Sequence, residues 1–357
     1  MRTISLFKSY MAPSAVWRVT SLLIRSNYGA YIGEGPEVKA FEREFGEKFG
    51  FEYVAAVNSG STALELAYDL AHIGEGDEVI IPVLTHPASG LPAVHRKARV
   101  VFADIETDLN VSVEDVKRKI SPKTKAIVFV HFGGNNRGLK ELLELSEKTG
   151  IPLIEDAAQA VGSPFWGKAD FTCVSLQAIK TLTSGDGGFL ICKDKEHYAI
   201  AKRLRWFGYD RELKQKMGDT DIVEAGYKCH MNDITAAIGR GNMRVIDKLI
   251  AHRITLGKEY ARYGVTAHVW LAHVLTPRRD ELMAFMKSNG VSTGDHHYRN
   301  DKYSIFGGKQ TFPVMDALEH QYLLLPLHHG VTVRDVRKIC ALLQEFKSAY
   351  AHGTEAK

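Results

Sequence analysis

Residues 174–188 read Val174-Ser-Leu-Gln-Ala-Ile-Lys-Thr-Leu-Thr-Ser-Gly-Asp-Gly-Gly188 and set one lysine, Lys180, between a short apolar run and a turn too rich in glycine for helix or strand. A lysine in a loop is ordinarily a solvated charge. Lysine is also the side chain that forms Schiff bases with carbonyls, and partial burial lowers its pKa until a neutral, nucleophilic amine is available near pH 7. Lys180 is therefore the candidate reactive residue, and the surrounding chain has to decide between the two readings.

Upstream, Gly150-Ile-Pro-Leu-Ile-Glu-Asp-Ala-Ala-Gln-Ala-Val-Gly162 is an apolar run ending in acid, which predicts a buried parallel strand with Asp156 at its carboxyl end. Ligands of open α/β sheets bind at that end. The chain between Asp156 and Lys180 is long enough for one strand end to face a loop beyond the next strand. Pyridoxal phosphate needs this pair: a lysine to hold its aldehyde as an imine, and a carboxylate to keep its pyridine nitrogen protonated so that the ring can accept electrons.

Ser175-Leu-Gln-Ala-Ile-Lys180 with Gly185-Asp-Gly-Gly188, Glu155-Asp-Ala-Ala-Gln159, Asn58-Ser-Gly-Ser-Thr-Ala-Leu64 and Gly226-Tyr-Lys-Cys-His-Met-Asn-Asp233 resemble, in order, the motifs of the DegT/DnrJ/EryC1/StrS sugar aminotransferases. The resemblance runs from about Gly29 to about Phe346. It implies an α/β, aspartate-aminotransferase-like (fold type I) architecture: a mostly parallel central sheet with a smaller α+β domain. On that pattern residues 1–35 form an amino-terminal segment joining the small domain, 36–240 the large cofactor-binding domain, and 241–357 a long connecting helix and the small domain. The implied activity is pyridoxal-phosphate-dependent transfer of an amino group, from L-glutamate, to a nucleotide-linked keto sugar of the 4-keto-6-deoxy kind, for surface-polysaccharide or glycan biosynthesis.

Roles follow from the same resemblance. Lys180 releases the aldehyde to the amino donor and then works as general base and acid, while Asp156 maintains the electron sink. Ser61, Thr62 and Ser175 fall on the cofactor phosphate, and Gln159 on the hydroxyl of the pyridoxal ring. His86 stands where the family stacks an aromatic ring on the pyridine face. Lys228 stands where many members carry an asparagine that reaches the partner's cofactor phosphate, which implies a homodimer with shared sites. The pattern is departed from at residues 162–170, where the chain is shorter than usual. Family dehydratases carry histidine at the lysine position, so Lys180 argues against that alternative. A non-catalytic binding or regulatory protein of the same fold is the other alternative, and the intact Lys180, Asp156 and Gly185-Asp-Gly-Gly188 set weighs against it.

The remaining chain fits this frame. A length of 357 residues suggests two domains, or one large domain with an appendage. A net charge of +4 gives no reason to expect nucleic-acid or membrane partners. Cys173, Cys192, Cys229 and Cys340 lack paired spacing and read as reduced core residues of a soluble, cytoplasmic protein. An amphipathic helix is expected over 14–26, then a turn Tyr31-Ile-Gly-Glu-Gly35, then a helix from Pro36 to Phe49. Strands are expected at 53–57, 76–82, 99–103 and 125–130, alternating with helices at 63–72 and 112–120. Asn58-Ser-Gly-Ser-Thr62 opens the helix at 63, where free N–H groups can hold a phosphate or where Ser61 merely caps its own helix. Residues 195–207 read as a basic helix with a solvated face, and a long helical pattern begins near Ile234. The pairs His296-His297 and His328-His329 lack the spacing of helical metal ligands, so no metal is expected. The family resemblance implies that residues 295–303 border the sugar pocket.

Overall fold

Seven strands build the central sheet: β1 (Tyr53–Val57), β2 (Glu78–Pro82), β3 (Arg99–Ala103), β4 (Thr124–Val130), β5 (Leu153–Asp156), β6 (Phe171–Ser175) and β7 (Gly188–Cys192). Their order across the sheet is β1-β7-β6-β5-β4-β2-β3. The computed structural model describes residues 3–27, 29 and 32–351. Strands β2 to β6 run parallel, and only β7 is antiparallel to its neighbours β1 and β6. Helices cover both faces, so strands such as β2 and β7 are buried along their whole length and carry consecutive apolar residues, not alternating ones. Because β2, β4, β5 and β6 share a direction, the residues at or just past their carboxyl ends, Thr85, His131, Asp156 and Ser175, emerge along one edge. The mostly parallel α/β sheet expected from the sequence is thus present.

A second, antiparallel sheet is made of β8 (Thr266–Ala267), β9 (Ala272–Leu275) and β10 (Tyr322–Leu325). Leu256, Tyr260, Leu282, Met286, Leu323 and Ile339 bury its core against the helices Ile246–Ala261, Arg279–Ser288 and Val333–Ala351.

Two expectations change. The amino-terminal segment divides its allegiance. Ile4 exchanges backbone bonds with Gly290 and Ser292 beside the small sheet (2.9 and 2.8 Å), but the helix Pro13–Ser26 packs on the helix Asp233–Met243. There the Ala12 N–H donates to Asn242 Oδ1 (2.8 Å) and the Ser14 hydroxyl to Gly241 O (2.7 Å). The long helical pattern from Ile234 is also two helices, Asp233–Met243 and Ile246–Ala261, broken at Arg244 and Val245. The cause is tertiary. Asn242 donates to Thr183 O (2.8 Å) while accepting from Ala12, which fixes the first helix to the large body and leaves the second to turn toward the small sheet. Of the expected turn at 31–35, Tyr31 lies outside the described residues. The rest is tied down by Asp233, whose Oδ1 accepts the Gly35 and Val38 N–H groups (2.9 and 3.0 Å) and so caps the helix Pro36–Phe49 from a distant part of the chain.

Candidate active site

A cavity of about 380 Å³ opens at the edge where the parallel strands end. Ser61, His86, Asp156, Gln159, Ser175 and Lys180 all line it. One wall is the start of the helix Gly60–Leu70, whose first N–H groups have no acceptor within their own helix. Ser59, not Ser61, is the cap: its hydroxyl accepts the Thr62 N–H (3.1 Å). Ser61 is left exposed at the cavity. Thr62 is turned away, its hydroxyl donating to Asn58 Oδ1 (2.7 Å), and it does not line the cavity.

Two glycines make this wall possible. A Cβ on Gly60 would lie 2.8 Å from Ser175 Cβ, and one on Gly188 would lie 2.5 Å from Val174 O and 2.7 Å from the Ser59 carbonyl carbon. The end of β6, the glycine turn and the helix start are therefore packed backbone to backbone, which brings Ser175 beside the free N–H groups. That close approach explains why glycines follow Lys180 in the sequence.

Lys180 is half-buried, and burial pushes its amine down from an ordinary 10.5 to about 8, the nearby Asp156 charge opposing the shift. Its Nζ sits 4.4 Å from the centre of the Trp270 ring. Trp270 comes from the connection between β8 and β9, is anchored by its N–H to Gly133 O (2.9 Å), and stacks on Phe7 at 5.3 Å. An aromatic pair from outside the central sheet thus covers the lysine.

Asp156 is buried at the end of β5. Its Oδ2 accepts the Ser89 hydroxyl (2.7 Å) and its Oδ1 the Ala158 N–H (3.2 Å). Ser89 is itself held, with its hydroxyl 2.7 Å from that of Thr85 and its carbonyl accepting the buried Tyr68 hydroxyl (2.6 Å). Nothing in the sequence singles out Ser89, Thr85 or Tyr68. The only available signal was a pair of hydroxyls four residues apart after a strand.

Gln159 spends its amide on the protein. The Gly133 N–H donates to Oε1 (2.6 Å), so the opposite end is the NH₂, which donates to His297 Nε2 (2.7 Å). His297 is therefore neutral with its proton on Nδ1. Burial first, then the charges of Lys180, His86 and His296, hold its pKa down at about 3. The second amide hydrogen of Gln159 remains to face the cavity. His86 lies at the cavity mouth with its ring edge-on to His297 at 5.5 Å, and its Nδ1 accepts the Ala88 N–H (3.2 Å). Burial lowers its pKa, with Asp156 opposing. From the segment expected to border a sugar pocket, His296 and His297 reach the cavity. Arg299 and Asn300 instead anchor it: Arg299 is buried among Asp301, Asp316 and Glu319, and Asn300 donates to Val83 O (2.7 Å) and Thr85 O (2.5 Å).

Beneath the cavity Glu155 accepts from His131 Nε2 (2.8 Å) and from the N–H groups of Gly167, Lys168 and Ala169 (2.8, 2.6 and 2.8 Å). Burial opposes its ionisation, but these donors outweigh it and hold the carboxyl below its ordinary range. This fixes the short 162–170 loop. His131 lines the cavity, and its Nδ1 is buried without a hydrogen-bond partner. Lys228 is exposed, 5.6 Å from the Trp206 ring centre, and does not line the cavity. Among the described residues no helix is long and apolar enough to cross a membrane.

A family model described as the DegT/DnrJ/EryC1/StrS aminotransferase family matches residues 23–344. GDP-perosamine synthase of Vibrio cholerae is 31% identical over 345 residues, spanning 89% of this chain and 93% of that protein. The dTDP-4-dehydro-2,3,6-trideoxy-D-glucose 4-aminotransferase of Saccharopolyspora spinosa is 29% identical over 354 residues, spanning 90% and 91%. The crystal structure of a sugar aminotransferase from Micromonospora echinospora superposes with a TM-score of 0.88 at 28% identity, covering 95% of this chain and 99% of that one.

Proposed function

The chain belongs to the DegT/DnrJ/EryC1/StrS aminotransferase family, and from that premise we propose that it uses pyridoxal phosphate to move an amino group from glutamate onto a nucleotide-linked 4-keto-6-deoxy sugar. The observation that carries this reading is the convergence of Lys180, Asp156 and the start of the helix Gly60–Leu70 on one cavity. The names of the relatives above, which act on dTDP- and GDP-linked sugars, support the substrate class.

The residues present fit the cofactor. Its phosphate would meet the helix start at Gly60 and Ser61, with Ser175 alongside, where unpaired N–H groups and the positive helix end favour an anion. Its ring nitrogen would face Asp156, its ring hydroxyl the spare N–H of Gln159, and one ring face His86. When bound, the group would supply an aldehyde carbon that takes up the donor amine and a protonated ring that accepts an electron pair.

The chain's own residues account for the rest. Lys180, its amine lowered to about 8, carries a neutral fraction that grows as pH rises through that value, so its Nζ can accept a proton from the donor carbon and return it one position away. Asp156 would keep a proton on the ring nitrogen of the bound group, and the Ser89 and Ala158 donors hold its carboxylate in place. Trp270 and Phe7 limit water around Lys180. His297 stays neutral and adds no charge that would raise the cost of protonating Lys180. A working homodimer in the cytoplasm, with Lys228 reaching the partner's phosphate end, completes the proposal.

The experiment is a pair of half-reactions. Protein loaded with pyridoxal phosphate is treated with glutamate and its absorbance followed, and nucleotide-linked keto sugars are then screened for return of the original spectrum. Conversion by glutamate and return by a 4-keto sugar are expected. No spectral change with glutamate or other amino acids would remove the transaminase reading for this chain.

A further inference from the structure

Outside the site above, among the described residues, a buried cation stands with no charge to match it. Arg253, on the helix Ile246–Ala261, is only 4% exposed, yet its hydrogen bonds run to two carbonyl oxygens, Leu327 O (2.6 Å) and Trp270 O (3.3 Å), both from Nη1. Among the described residues no carboxylate forms an ion pair with it. Burial alone pulls its pKa down from 12.5 to about 10. A buried cation without a counterion is costly, and such groups are normally paired. Arg253 lines a groove of about 540 Å³ between the helix and the loops at Gly134 and Gly162. Lys258 stands exposed on the same wall, and His268, also lining the groove, has a buried Nε2 with no partner. Val269 and Ile254 supply apolar surface between them.

We propose that this groove is a second binding site, for a small molecule bearing a carboxylate or phosphate group, with Arg253 as its counterion. The ligand's anionic group supplies the missing charge, and the apolar wall receives a short hydrocarbon body. The site is separate from the Lys180 cavity but shares a wall with it. Trp270 presents its carbonyl to Arg253 and its ring to Lys180. The short 162–170 loop, whose Gly162 and Pro164 line the groove, faces this site and not the Lys180 cavity. The inference does not rest on the reading of the Lys180 cavity, and its test uses different residues.

Calorimetric titration of the cofactor-loaded protein with inorganic pyrophosphate, and separately with glutarate, tests the idea and tells a phosphate from a carboxylate ligand. At least one probe should bind saturably below millimolar concentration, and binding should weaken at least tenfold in Arg253→Met. Because Arg253 also ties two carbonyls, a second variant is needed that spares them. Gly257→Leu projects from the same helix into the groove, and a Cβ there meets only Ala267 and His268 at ordinary contact distance (3.8 and 3.9 Å), so the variant should fold and still lose binding tenfold. Lys258→Glu, on an exposed position, should weaken binding in the same direction. Failure of both probes to bind at millimolar concentration, or binding unchanged in Arg253→Met and Gly257→Leu, would overturn the proposal.

Discussion

At the scale of single residues, the chemistry rests on an amine that titrates near 8 where a free lysine titrates near 10.5. The sign of the pH dependence follows. A lowered pKa means that the neutral amine grows in as pH rises through about 8, so trapping of pyridoxal phosphate on the protein by borohydride should rise over that range, with the adduct on Lys180 by peptide mass. A midpoint near 10.5, or label on another lysine, would reject the assignment. In Asp156→Asn the midpoint should fall further, because the Asp156 charge is the one that resists the shift. The same variant keeps the shape of the carboxylate without its charge, so at saturating cofactor the glutamate half-reaction should slow by roughly 10²-fold or more, the scale on which one preorganised electrostatic partner acts. Ser89→Ala removes a hydrogen bond to a charged group, about 1.5–3 kcal/mol, and should slow it by roughly tenfold or more. Lys180 and Asp156 were legible in the sequence because their side-chain types, with a glycine turn and a strand end beside them, suit few other purposes. Ser89 was not, since a serine after a strand is generic and only the packing of Tyr68 and Thr85 aims it at Asp156. The family resemblance assigns Thr62 to the phosphate, whereas its hydroxyl serves Asn58.

At the scale of elements, the strands were legible because both faces of the sheet are covered and each strand is an apolar run between turn residues. The helix Pro36–Phe49 was legible to its ends, with proline at its start and glycine after it. The break at Arg244 and Val245 was not, because nothing local forbids helix there and the cause is Asn242 bonding to two distant segments. Nor does sequence reveal that Asp233, part of a motif that looked functional, caps a helix nearly two hundred residues earlier. Asp233→Ala should therefore lower stability by about 1–2 kcal/mol, the worth of an N-cap, read as a shift in the urea midpoint. An unchanged midpoint would mean that the cap contributes nothing. The junction of β6, the glycine turn and the helix start is more demanding. Gly60→Ala places a methyl 2.8 Å from Ser175 Cβ, and the helix start must move away from the phosphate end. Weaker cofactor binding with a far smaller loss of stability is the expected pattern, and equal affinity for pyridoxal phosphate in the variant would show that the close packing there does not shape the site.

At the scale of the whole molecule, one residue of the proposed site is in the wrong place for a monomer. Lys228 is exposed beside Trp206 and does not line the cavity that holds Lys180. Around it the chain displays apolar side chains that a solitary protein would rather cover: Phe207, Ile222, Val223 and Tyr227 are all exposed. Exposed apolar patches of this kind mark interfaces, and a two-fold interface would place the same patch of each subunit against the other. If Lys228 reaches the partner's phosphate end, each site depends on residues from both chains, and two defects can be separated by mixing. Lys180→Ala subunits lack the reactive amine, and Lys228→Ala subunits, once shown to be strongly impaired alone, lack the phosphate contact they lend across the interface. In a heterodimer of the two, one site carries both defects and the other carries neither, so transamination should return toward half of the wild-type activity per heterodimer. The measurement is activity against mixing ratio, with heterodimer content followed by native mass spectrometry. Heterodimers that form without restoring activity would confine Lys228 to its own subunit, and an active monodisperse monomer would leave the exposed patch without this explanation.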